Sequence, residues 1–134
     1  MAAEAAAFIE GRLPDFPALE IELGPVEVFA GTNVVYVSVP FASRTLREMH
    51  RHLNSGPVAY RECYEYHPHI TIAQKLAPGD AQRVAEEAAA GLAAFRGEKA
   101  FLAESFTFVQ ALRDDRWRDL REYILTPAPA ASVY

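Results

Sequence analysis

The sequence predicts an α+β protein, a mainly antiparallel sheet with helices packed on one side. Two observations point there. Stretches with helical spacing are interleaved with short alternating or β-branched runs, in the order helix, two strands, helix, strands, helix, strands. Few of those strands are separated by the two-residue Asn-Gly or Gly-Gly signals of tight hairpins.

Residues 2–11 form an Ala-rich helical stretch that Gly11 and Pro14 stop. Leu19, Ile21 and Leu23 alternate with Glu20 and Glu22, the period of a half-buried strand. Gly24-Pro25 interrupts, and Val26 to Phe29 continues extended. Gly31-Thr32-Asn33 marks a turn. Val34 to Val39 is a β-branched run, as expected of a central strand covered on both faces. After Pro40, Ser43 or Thr45 can cap a helix, with Thr45 and Glu48 at capping-box spacing. Leu46, Met49, His50 and Leu53 make its inner face, and 54–57 end it.

Val58 to Gln74 reads as mostly strand, with Pro68 inside it. Asp80 is the expected cap of a third helix with Val84, Ala88, Leu92 and Phe95 inward and Gly97 as its stop. Phe101 to Leu112 reads as one strand, followed by a turn at Arg113-Asp114-Asp115. Trp117 to Leu125 fits either a last strand or a short helix. The expected organisation is one domain over residues 1–125 with a flexible tail over 126–134.

The chain of 134 residues can bury roughly two-thirds of the surface its unfolded form exposes. Hydrophobic residues at 51% and charged ones at 23% are ordinary for a soluble globular protein. A net charge of −5 argues against a broad nucleic-acid surface, though not against a site for one phosphate. No apolar run is long enough to span a membrane. The single cysteine, Cys63, excludes an intrachain disulfide and fits a reducing, cytoplasmic compartment. It reads as buried and inert.

The chemistry concentrates in Glu65 to Gln74. On a strand, Glu65, His67, His69 and Thr71 share one face, and Tyr66, Ile70 and Ile72 share the other, which is expected to anchor in the core. Pro68 lacks an N–H and favours an edge or an irregular start, leaving His69 and Thr71 at the ordered end. An imidazole can exchange a proton near neutral pH. A threonine hydroxyl two residues on can donate to a phosphate oxygen. Together they supply half of what phosphodiester cleavage through a 2′-hydroxyl needs. The other half is a second acid/base group on the far side of phosphorus.

The string His67-Pro68-His69-Ile70-Thr71-Ile72-Ala73-Gln74 resembles the second His-x-Thr-x motif of the two-histidine phosphoesterases, the superfamily of the 2′-5′ RNA ligases. The resemblance extends to Val34-Val35-Tyr36-Val37, the helix with Met49 and Leu53, Tyr64-Glu65-Tyr66, Phe108-Val109-Gln110, Trp117 and Leu120, and so covers most of residues 16–125. It implies a two-lobed sheet fold with part of one lobe missing. It also implies a metal-independent activity on 2′,5′ or 2′,3′-cyclic phosphodiesters, with an RNA end or cyclic nucleotide as ligand and no cofactor. His69 then corresponds to one general acid/base and Thr71 to a hydrogen-bond donor that holds the phosphate, with His67 in a supporting place; Lys75, which follows the motif closely, could face an anionic ligand.

The family's first His-x-Thr-x motif is absent from residues 1–66. Tyr36-Val37-Ser38 has a similar shape, but tyrosine is a poor proton shuttle at neutral pH. The expected outcome is half an acid/base site, weak or inactive alone. The rival reading is a non-catalytic phosphate- or nucleotide-binding module, or a homodimer paired through an exposed sheet edge.

Other residues carry less. His67 and His69 with Glu65 or Cys63 could hold a metal, but no second cluster supports it, so no metal is expected. His50 and His52 read as structural or solvated. Arg44, Arg47 and Arg51 read as a solvated helix face, and Trp117 reads as core.

Overall fold

The computed structural model describes residues 2–12, 16–61 and 65–127. Helices and antiparallel sheets give the expected α+β class. The elements are α1 (Ala2–Arg12), β1 (Leu19–Glu22), β2 (Val26–Val28), β3 (Val35–Ser38), α2 (Ser43–Leu53), β4 (His69–Ala73), α3 (Pro78–Ala94), β5 (Ala100–Ala103), β6 (Ser105–Ala111) and β7 (Trp117–Ile124). Two compact units divide the chain, one of Ile21–Arg47 and His67–Phe101, the other of Met1–Glu20, Glu48–Tyr66 and Leu102–Tyr134.

The first unit carries a three-stranded antiparallel sheet in the order β2-β3-β4. β2 turns into β3 through Gly31 and Asn33, both at positive φ (84° and 56°). The Phe29 N–H closes the turn on the Val34 carbonyl at 2.9 Å. All four residues of β3 are buried, in keeping with the β-branched run that predicts it. The core beneath is Val35 against Ala81 and Ala85 of α3, with Val26, Val28, Ala73, Leu76 and Val84 around them. Alanines on the inner turn of α3 let the helix approach the sheet closely, so Val35 is fully enclosed.

Residues opposed in an antiparallel pair point to the same face. Val28, Val35 and Ala73 therefore face α3, while Glu27, Tyr36 and Thr71 point away from it, as do Ser38 and His69. The β3–β4 register slips between Val35 and Tyr36, whose partners are Ala73 and Thr71. Ile72 is the extra residue of a bulge.

The second unit is built on the antiparallel pair β6–β7, with Asp114 at φ 68° in the turn. Tyr123 is buried, and its hydroxyl donates to the Ala6 carbonyl at 2.8 Å, seating α1 through its buried Ala5 and Ile9. Thr126 bridges Pro17, and the Ala18 N–H donates to its carbonyl at 2.7 Å.

Several local expectations change. The chain from Val58 to Pro68 is not strand among its described residues: a short helical turn covers Gly56–Val58, and β4 begins only at His69. Asp80 is not the cap of α3, because the helix starts at Pro78, which needs no N–H partner there. Thr45 likewise lies inside α2, which starts at Ser43. Phe95 is 54% exposed and follows the last turn of α3. Glu104 splits the predicted 101–112 strand into β5 and β6. Trp117 is not core but 66% exposed. The tail expected from residue 126 is tied down at its start, where Thr126 pairs with Pro17 and donates to the Phe16 carbonyl; Cys63 and the tail beyond Pro127 fall outside the described residues.

Ile70 and Ile72 do not anchor in the core; they are 39% and 42% exposed. A helix about 10 Å wide covers about two strands at 4.8 Å spacing. Here α3 packs chiefly on β2 and β3, and from the outer strand Ala73 packs against the core while Ile70 and Ile72 do not.

Candidate functional site

Tyr36 is the centre of the sheet face turned away from α3. Burial first, then its hydrogen bond to Glu27 and the charge of that carboxylate, raise the Tyr36 phenol above its ordinary pKa. It stays a neutral donor, 3.0 Å from Glu27 Oε2. Phe29 stacks on the Tyr36 ring at 4.0 Å.

Both histidines of the His-Pro-His string pack edge-on against this aromatic pair. The His69 ring lies 4.9 Å from Phe29 and 5.5 Å from Tyr36. The His67 ring lies 5.4 Å from each. These separations suit quadrupole-favoured edge-to-face contacts. Although His67 precedes the strand, its ring thus meets the same two aromatics as His69.

The His69 ring is exposed, and its Nδ1 is 2.6 Å from the His67 carbonyl oxygen. A carbonyl only accepts, so Nδ1 carries the hydrogen and Nε2 remains for proton exchange. Thr71, also exposed, stands two residues along and directly across from Tyr36. His69 itself lies across from Ser38, whose hydroxyl donates to the Pro25 carbonyl at 2.9 Å.

The Arg47 side chain is half-buried rather than part of a solvated face. Its Nε donates to Ser43 Oγ at 3.0 Å, and Nη2 lies 3.3 Å from His67 Nδ1. Beside this group is a cleft of about 320 Å³ lined by Glu27, Ser38, Ser43, His67 and the prolines 25, 40 and 68. It lies on the same sheet face as His69 and Thr71.

The sequence-predicted residues therefore divide. His67 and His69 meet over the same two rings, and Thr71 shares their face. Lys75 stands beyond the strand at φ 60°, on the connection to α3. Phe29, Tyr36, Glu27 and Arg47 complete the cluster, and the sequence alone does not mark them as site residues. Only Tyr36 gave a signal, as an aromatic inside a β-branched run. His50 stacks on Tyr66 at 4.0 Å and His52 packs edge-on against Phe16 at 5.2 Å, so both have structural places. Among the described residues, no three His, Cys, Asp or Glu side chains converge to hold a metal. No described helix is long and apolar enough to cross a membrane.

The family model of the 2′-5′ RNA ligase superfamily matches residues 1–115, a span that contains every residue of this cluster. A search of curated proteins finds no match.

Proposed function

This chain belongs to the 2′-5′ RNA ligase superfamily, and from that premise we propose that its His69–Thr71 face is one side of a metal-independent phosphodiester site for 2′,3′-cyclic or 2′,5′-linked RNA ends. The observation that carries the reading is the 2.6 Å contact of His69 Nδ1 with the His67 carbonyl. It orients an exposed imidazole and leaves Nε2 to exchange a proton with a ribose hydroxyl. Thr71, on the same face, donates to a non-bridging phosphate oxygen.

In-line displacement at phosphorus needs one group to take the proton from the attacking oxygen and another to protonate the leaving oxygen. His69 serves one of these roles. No other His-x-Thr-x string occurs in this sequence to supply the second, so residues 1–134 alone are expected to bind the phosphate and turn it over slowly.

The test is hydrolysis of adenosine 2′,3′-cyclic phosphate by the purified chain, with binding followed on the same samples by NMR. Slow turnover with ligand-induced shifts at His69 and Thr71, all lost in His69→Ala, is the expected result. No shift at either residue at millimolar nucleotide would sink the reading. Robust turnover that vanishes in His69→Ala would refute the reading that residues 1–134 hold only one side of the reaction.

A second reading is favoured by the exposed edge strand. β4 pairs on one side with β3 and presents Ile70 and Ile72 to solvent, a surface that suits a second copy of the chain. Sedimentation equilibrium separates the two readings: a dimer broken by Ile72→Lys supports pairing, and a monomer at high concentration rejects it.

A further inference from the structure

His67 and His69 share a pair of aromatic contacts, yet their ring nitrogens meet opposite kinds of partner. The guanidinium of Arg47 only donates, so the His67 Nδ1 that faces it at 3.3 Å must present a lone pair. Neutral His67 then carries its hydrogen on Nε2, which is buried without a hydrogen-bond partner among the described residues. The backbone carbonyl of the same residue only accepts, so His69 carries its hydrogen on Nδ1.

We infer that Arg47 is a positioning residue that sets the two imidazoles in opposite tautomers, His67 as the Nε2–H form and His69 as the Nδ1–H form. The chain of contacts runs from α2 to the proposed site. Ser43 Oγ accepts from Arg47 Nε and fixes the guanidinium plane. The guanidinium holds the His67 ring, which Phe29 and Tyr36 flank. That anchors the His67 backbone, whose carbonyl orients His69. The two histidines are therefore not interchangeable. His67 has its lone pair engaged and its N–H sealed from solvent, so it cannot serve as the base. His69 has its lone pair on the outward Nε2. The inference deepens the proposed function and rests on it for the catalytic consequence, but the tautomers are readable without any turnover.

The experiment is long-range ¹H–¹⁵N correlation NMR of the imidazoles. The chain has four histidines, so each is assignable by single substitution. In the wild type at a pH where the rings are neutral, we expect His67 as Nε2–H and His69 as Nδ1–H. In Arg47→Met, His67 is expected to become a mixture and His69 to lose its single tautomer. Arg47→Lys retains one donor and is expected to restore part of the wild-type pattern. With cyclic nucleotide as substrate, Arg47→Met is expected to lower kcat about tenfold with KM within about twofold, the usual scale for removing a residue that orients a histidine.

A wild-type His67 in the Nδ1–H form overturns the inference directly, whether or not Arg47→Met folds. A pattern unchanged in Arg47→Met overturns the role of Arg47. Correct tautomers without nucleotide binding leave the positioning intact and count against the proposed function alone.

Discussion

Tyr36 stands directly across from Thr71, and its hydroxyl is committed to Glu27 on the strand at its other side. One buried ring therefore ties all three strands of the sheet together on the face that carries the histidines. Tyr36→Phe keeps the ring and removes a single hydrogen bond. Glu27 is solvent-exposed, so the expected loss is only about 1 kcal/mol. Tyr36→Ala removes the ring on which His67 and His69 pack, with an expected loss of about 3–5 kcal/mol. Urea unfolding of both variants measures the difference.

The same phenol predicts a dependence on alkaline pH. Its folded pKa is raised above the ordinary 10.0, chiefly by burial. The unfolded chain therefore loses this proton first, and the native state holds it to higher pH. Its contribution is complete below about pH 10 and is lost as pH rises from there through the folded value. Wild type and Tyr36→Phe should differ by a constant amount near neutral pH, and the gap should narrow above pH 10. A gap that widens there would contradict the assignment.

For the proposed acid/base role, His69→Ala is expected to lower cyclic-nucleotide turnover by about 10²–10⁴-fold. Thr71→Val keeps the β-branched shape and removes the donor, so it is expected to raise KM for the phosphate. Steady-state kinetics with both variants reads this out. Equal losses in His50→Ala, whose ring stacks on Tyr66, would show that the effect is not specific to the site.

The core beneath the sheet has little room. Val35 is fully enclosed by Ala81 and Ala85. Ala85→Leu is expected to cost about 1–3 kcal/mol by overpacking, and Val35→Ala about 2 kcal/mol through lost burial and the cavity it leaves. Thermal unfolding followed by circular dichroism checks both.

At the β2–β3 turn, Asn33 holds φ at 56°. Asn33→Ala is expected to cost about 1 kcal/mol, because a Cβ without a local polar partner is disfavoured in the left-handed region. Asn33→Gly is expected to be close to neutral. If the two variants unfold at the same denaturant concentration, the turn is not under this constraint.

What the sequence revealed was what is local. β3 is legible because its run of β-branched residues cannot sit comfortably elsewhere, and His69 and Thr71 are legible because two residues of strand place them on one face. The Arg47–His67 contact joins positions 20 residues apart, and no periodicity along α2 distinguishes Arg47 from Arg44 or Arg51. The aromatic pair of Phe29 and Tyr36 depends on hairpin register, which composition does not carry. The exposure of Ile70 and Ile72 is not legible in the sequence, because alternation reports which residues share a face, not how far a helix extends over it.

The bulge at Ile72 gives β4 a change of phase. Up to Thr71 the odd-numbered positions look away from α3; after one surplus residue, odd-numbered Ala73 looks toward it. The strand can thus offer a histidine and a threonine outward and still close its far end with an alanine that fits beneath the helix. Without the bulge, Ile72 would stand across from Val35 and Ala73 would turn outward, so the fit beneath the helix depends on the surplus residue staying out of the ladder. The register of β4 is therefore held at both ends, by His69 packed on Phe29 and Tyr36 at one and by Ala73 packed against the core at the other.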